Sequence, residues 1–153
     1  MTDERATVVS RRLARTLILV GEQIKASFAE SVESLGMPVP LARTLLALGA
    51  PEPMRDLADH LSCDPSHITG IADRLEERGL ARRVAGQDRR VKLLEITDEG
   101  RAMRDRIIAV ATAGSPTTRL DPKDRELLLS LLERLLDDGA DESARPVEVS
   151  AGR

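Results

Sequence analysis

The residues best suited to chemistry lie in two short clusters. The first is Ser66, His67, Thr69, Gly70 and Arg74. Ile68, Ile71, Ala72 and Leu75 recur at i, i+3, i+4 and i+7, the buried stripe of a helix. Ser66, His67, Gly70 and Arg74 then face outward, and Thr69 flanks them within reach of a phosphate. Hydroxyl, imidazole and guanidinium groups on one outward stripe are donors and acceptors for base edges and phosphates. The second cluster is Gly86-Gln87-Asp88-Arg89-Arg90. Arg at the tip of a turn suits the negative potential of a DNA minor groove. Asp88, two residues before Arg90, is placed to brace its guanidinium by an ion pair.

Other chemistries find no such support. There is no Gly-x-Gly-x-x-Gly after a strand, no phosphate-loop Gly-Lys-Ser/Thr and no Gly-x-Ser-x-Gly. No catalytic residues and no cofactor are therefore expected. The acids mostly sit beside Arg on helix surfaces, as in Asp73-Arg74 and Glu76-Glu77-Arg78, which solvated faces explain. His60, Cys63 and His67 are metal-ligand types, but His60 ends one helix and His67 opens another, facing outward. No carboxylate stands ready to orient them, so no metal is expected. Cys63 is the only cysteine, which excludes an internal disulfide.

The elements that position these clusters follow from periodicity. The 153 residues amount to about one domain. Residues 8–35 read as one long amphipathic helix, with Val9, Leu13, Leu17, Val20, Ile24, Phe28, Val32 and Leu35 at steps of three and four. Pro40 opens a second helix that ends at Gly49. A short helix with Met54, Leu57, Ala58 and Leu61 on one face follows, then a tight turn at Ser62-Cys63-Asp64. Asp64 as N-cap and Pro65 at the first position start the next helix, and Gly79 ends it. Leu80–Val84 and Val91–Ile96 are extended runs about a Gly-containing turn, which predicts a hairpin. Thr97 caps a helix running to about Ala113, and Asp121-Pro122 opens a last one with paired leucines every four residues. The pattern fades near Asp137, and residues 138–153 are expected to form a disordered tail.

Composition narrows the function classes. Phe28 is the sole aromatic of the Phe, Tyr and Trp group, which disfavours modules that stack single-stranded bases. No segment approaches the length of a membrane span, and Met1–Arg5 lacks the pattern of a signal peptide, so a cytoplasmic location is expected. Arg makes up 20 of the 23 basic residues, a bias that a GC-rich genome explains. The net charge is −3, but residues 66–92 hold seven bases against four acids. That local +3 coincides with a helix, a turn, a second helix and a hairpin. The helix-turn-helix lays its second helix in the DNA major groove. The alternative is a helical dimer that uses the same scaffold for protein–protein interaction with weakened DNA binding. Gly70 and the acidic total motivate it.

The run Met54-Arg-Asp-Leu-Ala-Asp-His-Leu, then Asp64-Pro-Ser-His-Ile-Thr-Gly-Ile-Ala-Asp-Arg-Leu-Glu-Glu-Arg-Gly-Leu80, resembles the winged helix of the MarR family of bacterial transcription regulators. So does Asp88-Arg-Arg-Val-Lys-Leu-Leu-Glu-Ile-Thr97. The likeness spans about residues 5–137. It implies a mainly α fold: a winged helix-turn-helix at about 38–97 with a short β-hairpin wing, and dimerisation helices at about 8–35 and 98–137. It implies a homodimer on a palindromic double-stranded operator, acting as a repressor relieved by a small-molecule effector or a stress signal. Ser66, His67, Thr69, Gly70 and Arg74 fall at recognition-helix positions, and Asp88, Arg89 and Arg90 on the wing. Gly70 stands where the family often has Arg, and Ala42 where it has a bulkier residue. With no Tyr or Trp, an effector pocket here would be largely aliphatic. The resemblance also places Cys63 at a site that is often buried, as an inert small hydrophobe rather than an oxidant sensor.

Overall fold

A computed structural model describes residues 2–88 and 90–142, with side chains for residues 5–88 and 90–136. Six α-helices and three strands are found among them: α1 (Thr2–Glu33), α2 (Val39–Ala47), β1 (Glu52–Pro53), α3 (Met54–His60), α4 (Pro65–Glu77), β2 (Ala81–Ala85), β3 (Lys92–Ile96), α5 (Asp98–Gly114) and α6 (Pro122–Glu142). A single 3-10 turn, Pro116–Arg119, follows α5. The chain divides into two compact units, residues 1–116 and 117–153.

In the first unit, three helices end the same way. After α1, α3 and α4 the chain enters the left-handed region at Gly36, Ser62 and Gly79, with φ of 64°, 51° and 69°. The next N–H turns back onto the last helical turn: Met37 to Val32 O, Cys63 to Ala58 O and Leu80 to Leu75 O. This closure satisfies carbonyls that helix ends leave free. Gly79 makes it without steric cost, whereas Ser62 carries a Cβ in a region that disfavours one. Asp64 holds the N-cap position of α4, yet its side chain makes no capping hydrogen bond. The extended backbone before Pro65 and the proline itself start that helix instead.

The core sits where the periodicities converge. Ile68, Ile71, Ala72 and Leu75 of α4 are buried against Leu41 and Leu45 of α2, Leu57 and Ala58 of α3, and Leu94 of β3. The strands form an antiparallel sheet ordered β1-β3-β2. The hairpin was legible in the sequence; β1 was not. Two residues ending in Pro53 carry no period, and only pairing of Glu52 with Leu94 and Pro53 with Leu93 makes them a strand. Helix α1 starts six residues before the expected position and stops two short of Leu35. Its far end, with Val32 buried and Phe28 packed beside it, belongs to the core. Its first two thirds expose Leu13, Ile18, Leu19 and Ile24.

Helix α5 docks on the winged helix through buried Ile107 and through Arg104, which donates to Leu48 O at 2.8 Å. It also meets α1, where Ser27 Oγ donates to Gly114 O. In the second unit, Asp121 Oδ1 accepts from Asp124 N at 2.9 Å and caps α6. Leu127, Leu131 and Leu135 of α6 are exposed. The helix continues to Glu142, past the point where the sequence pattern fades, so the first five residues of the expected tail are helical. The remainder, 143–153, lies outside the described residues. No described helix is long and apolar enough to cross a membrane.

The entry to α5 is tightly packed. A Cβ at Gly100 would overlap the Leu80 carbonyl oxygen and stand 2.7 Å from Ile96 Cγ1. Backbone cannot swing aside as a side chain can. Gly100→Ala is therefore expected to destabilise the protein by about 3 kcal/mol, the upper part of the overpacking range. Urea unfolding at fixed protein concentration reads this as a lowered midpoint.

Candidate nucleic-acid interface

The interface is built on α4. Burial of Ile68, Ile71, Ala72 and Leu75 leaves the opposite stripe in solvent, and Ser66, His67, Thr69, Gly70 and Arg74 are all exposed. The structure thus brings all five together on one helix. They are not equivalent. Thr69 Oγ1 donates to Pro65 O at 3.1 Å, so its proton is turned into the helix rather than outward. Ser66 stands in the first turn, where free backbone N–H groups favour an anion. The Arg74 side chain has no protein partner among the described residues.

The wing tip differs from expectation. The sequence spacing makes Asp88 a brace for the Arg90 guanidinium. Its Oδ1 instead accepts the Arg90 backbone N–H at 2.9 Å. With Val91 N donating to Asp88 O and Gly86 N to Val91 O, each at 2.9 Å, this closes a compact Asx-type turn. The carboxylate thereby shapes the tip and leaves the Arg90 side chain exposed and unpaired among the described residues. Arg89 lies outside the described residues.

Sequence reasoning counted Arg78, Arg82 and Arg83 only as local positive charge. Tertiary structure uses all three internally. Arg78 donates to Gly36 O at 3.0 Å and ties the end of α4 to the loop after α1. Arg82 pairs with Glu95 at 2.6 Å, its cross-strand neighbour. Arg83 reaches back from β2 to α4, pairing with Asp73 at 2.6 Å and with Glu76. Glu76 also accepts the Arg83 backbone N–H at 2.7 Å, satisfying the outer edge of the sheet. The Asp73 hydrogen bond, aided by the charges of Glu76 and Asp73 against some loss from burial, raises the Arg83 pKa above its ordinary value. The only sequence signal for this was the spacing of Asp73 and Glu76 on one flank of α4, which is silent until β2 is placed.

Two further expectations concern side chains near this face. Cys63 is half-buried rather than buried. It packs on the core but also lines a cleft of about 110 Å³ with Arg43, Leu61, His67 and Ile71. His60 is exposed and its Nδ1 lies 2.8 Å from Glu52 Oε1, pinning α3 to β1. Among the described residues, no three His, Cys, Asp or Glu side chains are grouped to hold a metal.

The sequence model of the MarR family matches residues 44–92. No curated protein matches the chain. Solved structures do. One is CouR from Rhodococcus jostii RHA1 bound to p-coumaroyl-CoA, 29% identical, covering 91% of this chain and 97% of that one, with a TM-score of 0.71. A MarR-family transcriptional regulator from Rhodococcus sp. RHA1 is 29% identical over 82% of this chain and 94% of its own, with a TM-score of 0.68. A MarR family protein of Mycobacterium tuberculosis in complex with DNA shares the fold at 24% identity, 80% and 96% coverage and a TM-score of 0.68.

Gly70 stands out on this surface. It sits inside α4, and nothing lies within 4 Å of where its Cβ would be. Neither packing nor backbone conformation requires glycine there. Gly70→Ala is expected to stabilise the protein by about 1 kcal/mol, the helix-interior difference between the two residues. A thermal melt showing no gain would mean that α4 is strained in a way its geometry does not reveal.

Proposed function

We propose that the chain, which the MarR family model matches over residues 44–92, is a winged helix-turn-helix regulator of that kind and binds duplex DNA sequence-specifically as a homodimeric transcriptional repressor. The observation that carries this reading is α4 itself. Its inner stripe is wholly buried, and its exposed face presents Ser66, His67, Gly70 and Arg74 beside Asp73 and Glu77, with Arg74 lacking a protein partner among the described residues. A helix so divided enters a major groove, where base edges carry a distinct donor and acceptor code. The wing follows from the same frame. Arg90, set by the Asp88 turn, reaches for the adjacent minor groove, and Arg89 stands beside it in sequence. Ser66 and Thr69 take positions beside the phosphates, with the helix N-terminus adding its own attraction.

The exposed apolar faces of α1 and of α6 support the homodimer. Each carries leucine, isoleucine or valine residues that a soluble monomer would not gather into one stripe. Two copies related by a two-fold axis present two α4 helices to the two halves of a palindrome, about 34–36 Å apart. Release by a small-molecule effector follows the family pattern, and CouR, solved with p-coumaroyl-CoA, is a relative with a bound ligand. A cleft of about 370 Å³ lined by Ala29, Glu33, Met37, Pro38 and Val39 offers room at the start of α2. Its lining is aliphatic apart from Glu33. An effector there would shift the population of binding-competent dimers.

The test begins with selection of duplexes from a random-sequence library by the full-length protein, followed by titration against the best duplex and a scrambled one at several salt concentrations. A regulator binds the selected duplex far more tightly, with an affinity that falls steeply with salt. Arg74→Ala and Arg90→Ala should each weaken binding about tenfold or more, as loss of a groove contact does. Equal affinity for selected and scrambled duplexes would overturn the proposal in favour of a protein-interaction role. Full affinity in Arg74→Ala would overturn the assignment of that residue.

A further inference from the structure

The outward stripe of α4 contains acid. At 100° per residue, the direction opposite Ile68, Ile71, Ala72 and Leu75 is held by Ser66, Gly70, Asp73 and Glu77. Arg74 and His67 lie on one flank of that stripe, Thr69 and Glu76 on the other. A carboxylate at the centre of a surface that meets phosphates repels them, and within about 8–10 Å salt screens the repulsion only in part. A counter-charge near Asp73 therefore favours DNA binding by this helix, while Glu77 on the same stripe has no ion-pair partner among the described residues.

The structure supplies that counter-charge from a different element. Arg83 of β2 places Nη2 at 2.6 Å from Asp73 Oδ1 and Nη1 against Glu76 Oε2. The same side chain reaches to 3.5 Å from the Thr69 carbonyl. It is only about a quarter exposed, with a side-chain relative accessibility of 26% against 55% for Asp73. The guanidinium is thus set between the acids, where its planar fork serves two carboxylates at once. We propose that Arg83 is a positioning residue for DNA binding: it masks the charge of Asp73 and Glu76 on the exposed face of α4. This rests on the DNA-binding reading above and adds a residue that does not itself touch DNA.

The two ideas fail differently. The probe is the tightest duplex that the parent protein selects from a random library, read by fluorescence anisotropy on the full-length chain. Arg83→Gln should lose about tenfold or more in affinity at low salt, where unmasked carboxylates are least screened, and less at high salt. The triple variant R83Q/D73N/E76Q, with the acids neutralised, should recover to within about threefold of the parent at every salt concentration. D73N/E76Q should bind at least as tightly as the parent, because the freed guanidinium adds positive charge to the surface. A merely structural role for Arg83 would leave the loss in R83Q equal at low and high salt.

Three results would overturn the proposal. One is a folded R83Q that binds like the parent. Another is a triple variant as weak as R83Q, which would make Arg83 a direct phosphate ligand. The third is loss of binding in D73N/E76Q, which also decides the matter if R83Q does not fold. A parent that selects no duplex takes down the DNA-binding reading, and this proposal with it.

Discussion

Helix α4, the wing and α5 meet at one junction, and the rest of the winged helix depends on it. Thr97 stands at its centre. Its Oγ1 donates to Gly79 O at 2.6 Å and accepts from Gly100 N at 3.0 Å, while its backbone N–H donates to Leu80 O at 3.1 Å. One residue thus closes the end of α4, fixes where β2 departs and caps α5. A cap of this kind is worth about 1 kcal/mol by itself. Its larger effect is geometric. Gly79 lets the chain reverse in a left-handed conformation, and Gly100 lets the Leu80 carbonyl press against α5. The direction in which the wing leaves α4 is set there, and with it the placing of Arg90 relative to Arg74.

The positive character of the proposed interface arises by subtraction. Seven bases lie between residues 66 and 92, but three do structural work. Arg78 fastens a loop, Arg82 pairs across the sheet, and Arg83 binds two acids of α4. Among the described residues, Arg74, Arg90 and Lys92 remain without protein partners. A count of charges along the chain overstates the free positive charge and misses the pairing of Arg83 with Asp73 and Glu76. The apolar stripes obey a similar logic. Only the far end of α1 enters the core of its own chain, and the nearer part of the same stripe stays exposed, matter for a second surface rather than for the fold of one copy.

Much was legible from residue order because it rests on local physics. Helical periodicity located the buried stripe of α4 residue by residue, since each position is 100° from the last and a core accepts one face only. Gly79 and Thr97 announced helix boundaries through their own backbone and capping chemistry. The outward set Ser66, His67, Thr69, Gly70 and Arg74 followed from that register. What local physics does not encode is pairing between distant segments. Strand β1 exists only because β3 offers it an edge, and Arg83 meets Asp73 and Glu76 only because the hairpin folds back on α4. Asp88 satisfies a backbone N–H two residues on, a competitor that an ion-pair argument overlooks. Cys63 is half-buried and lines a cleft, which its place in a turn does not reveal. The sequence by itself determined which faces are buried, where helices start and stop, and which side chains stand outward. Tertiary structure alone decided which of those charges are already spent, because that depends on what the fold brings within hydrogen-bond reach.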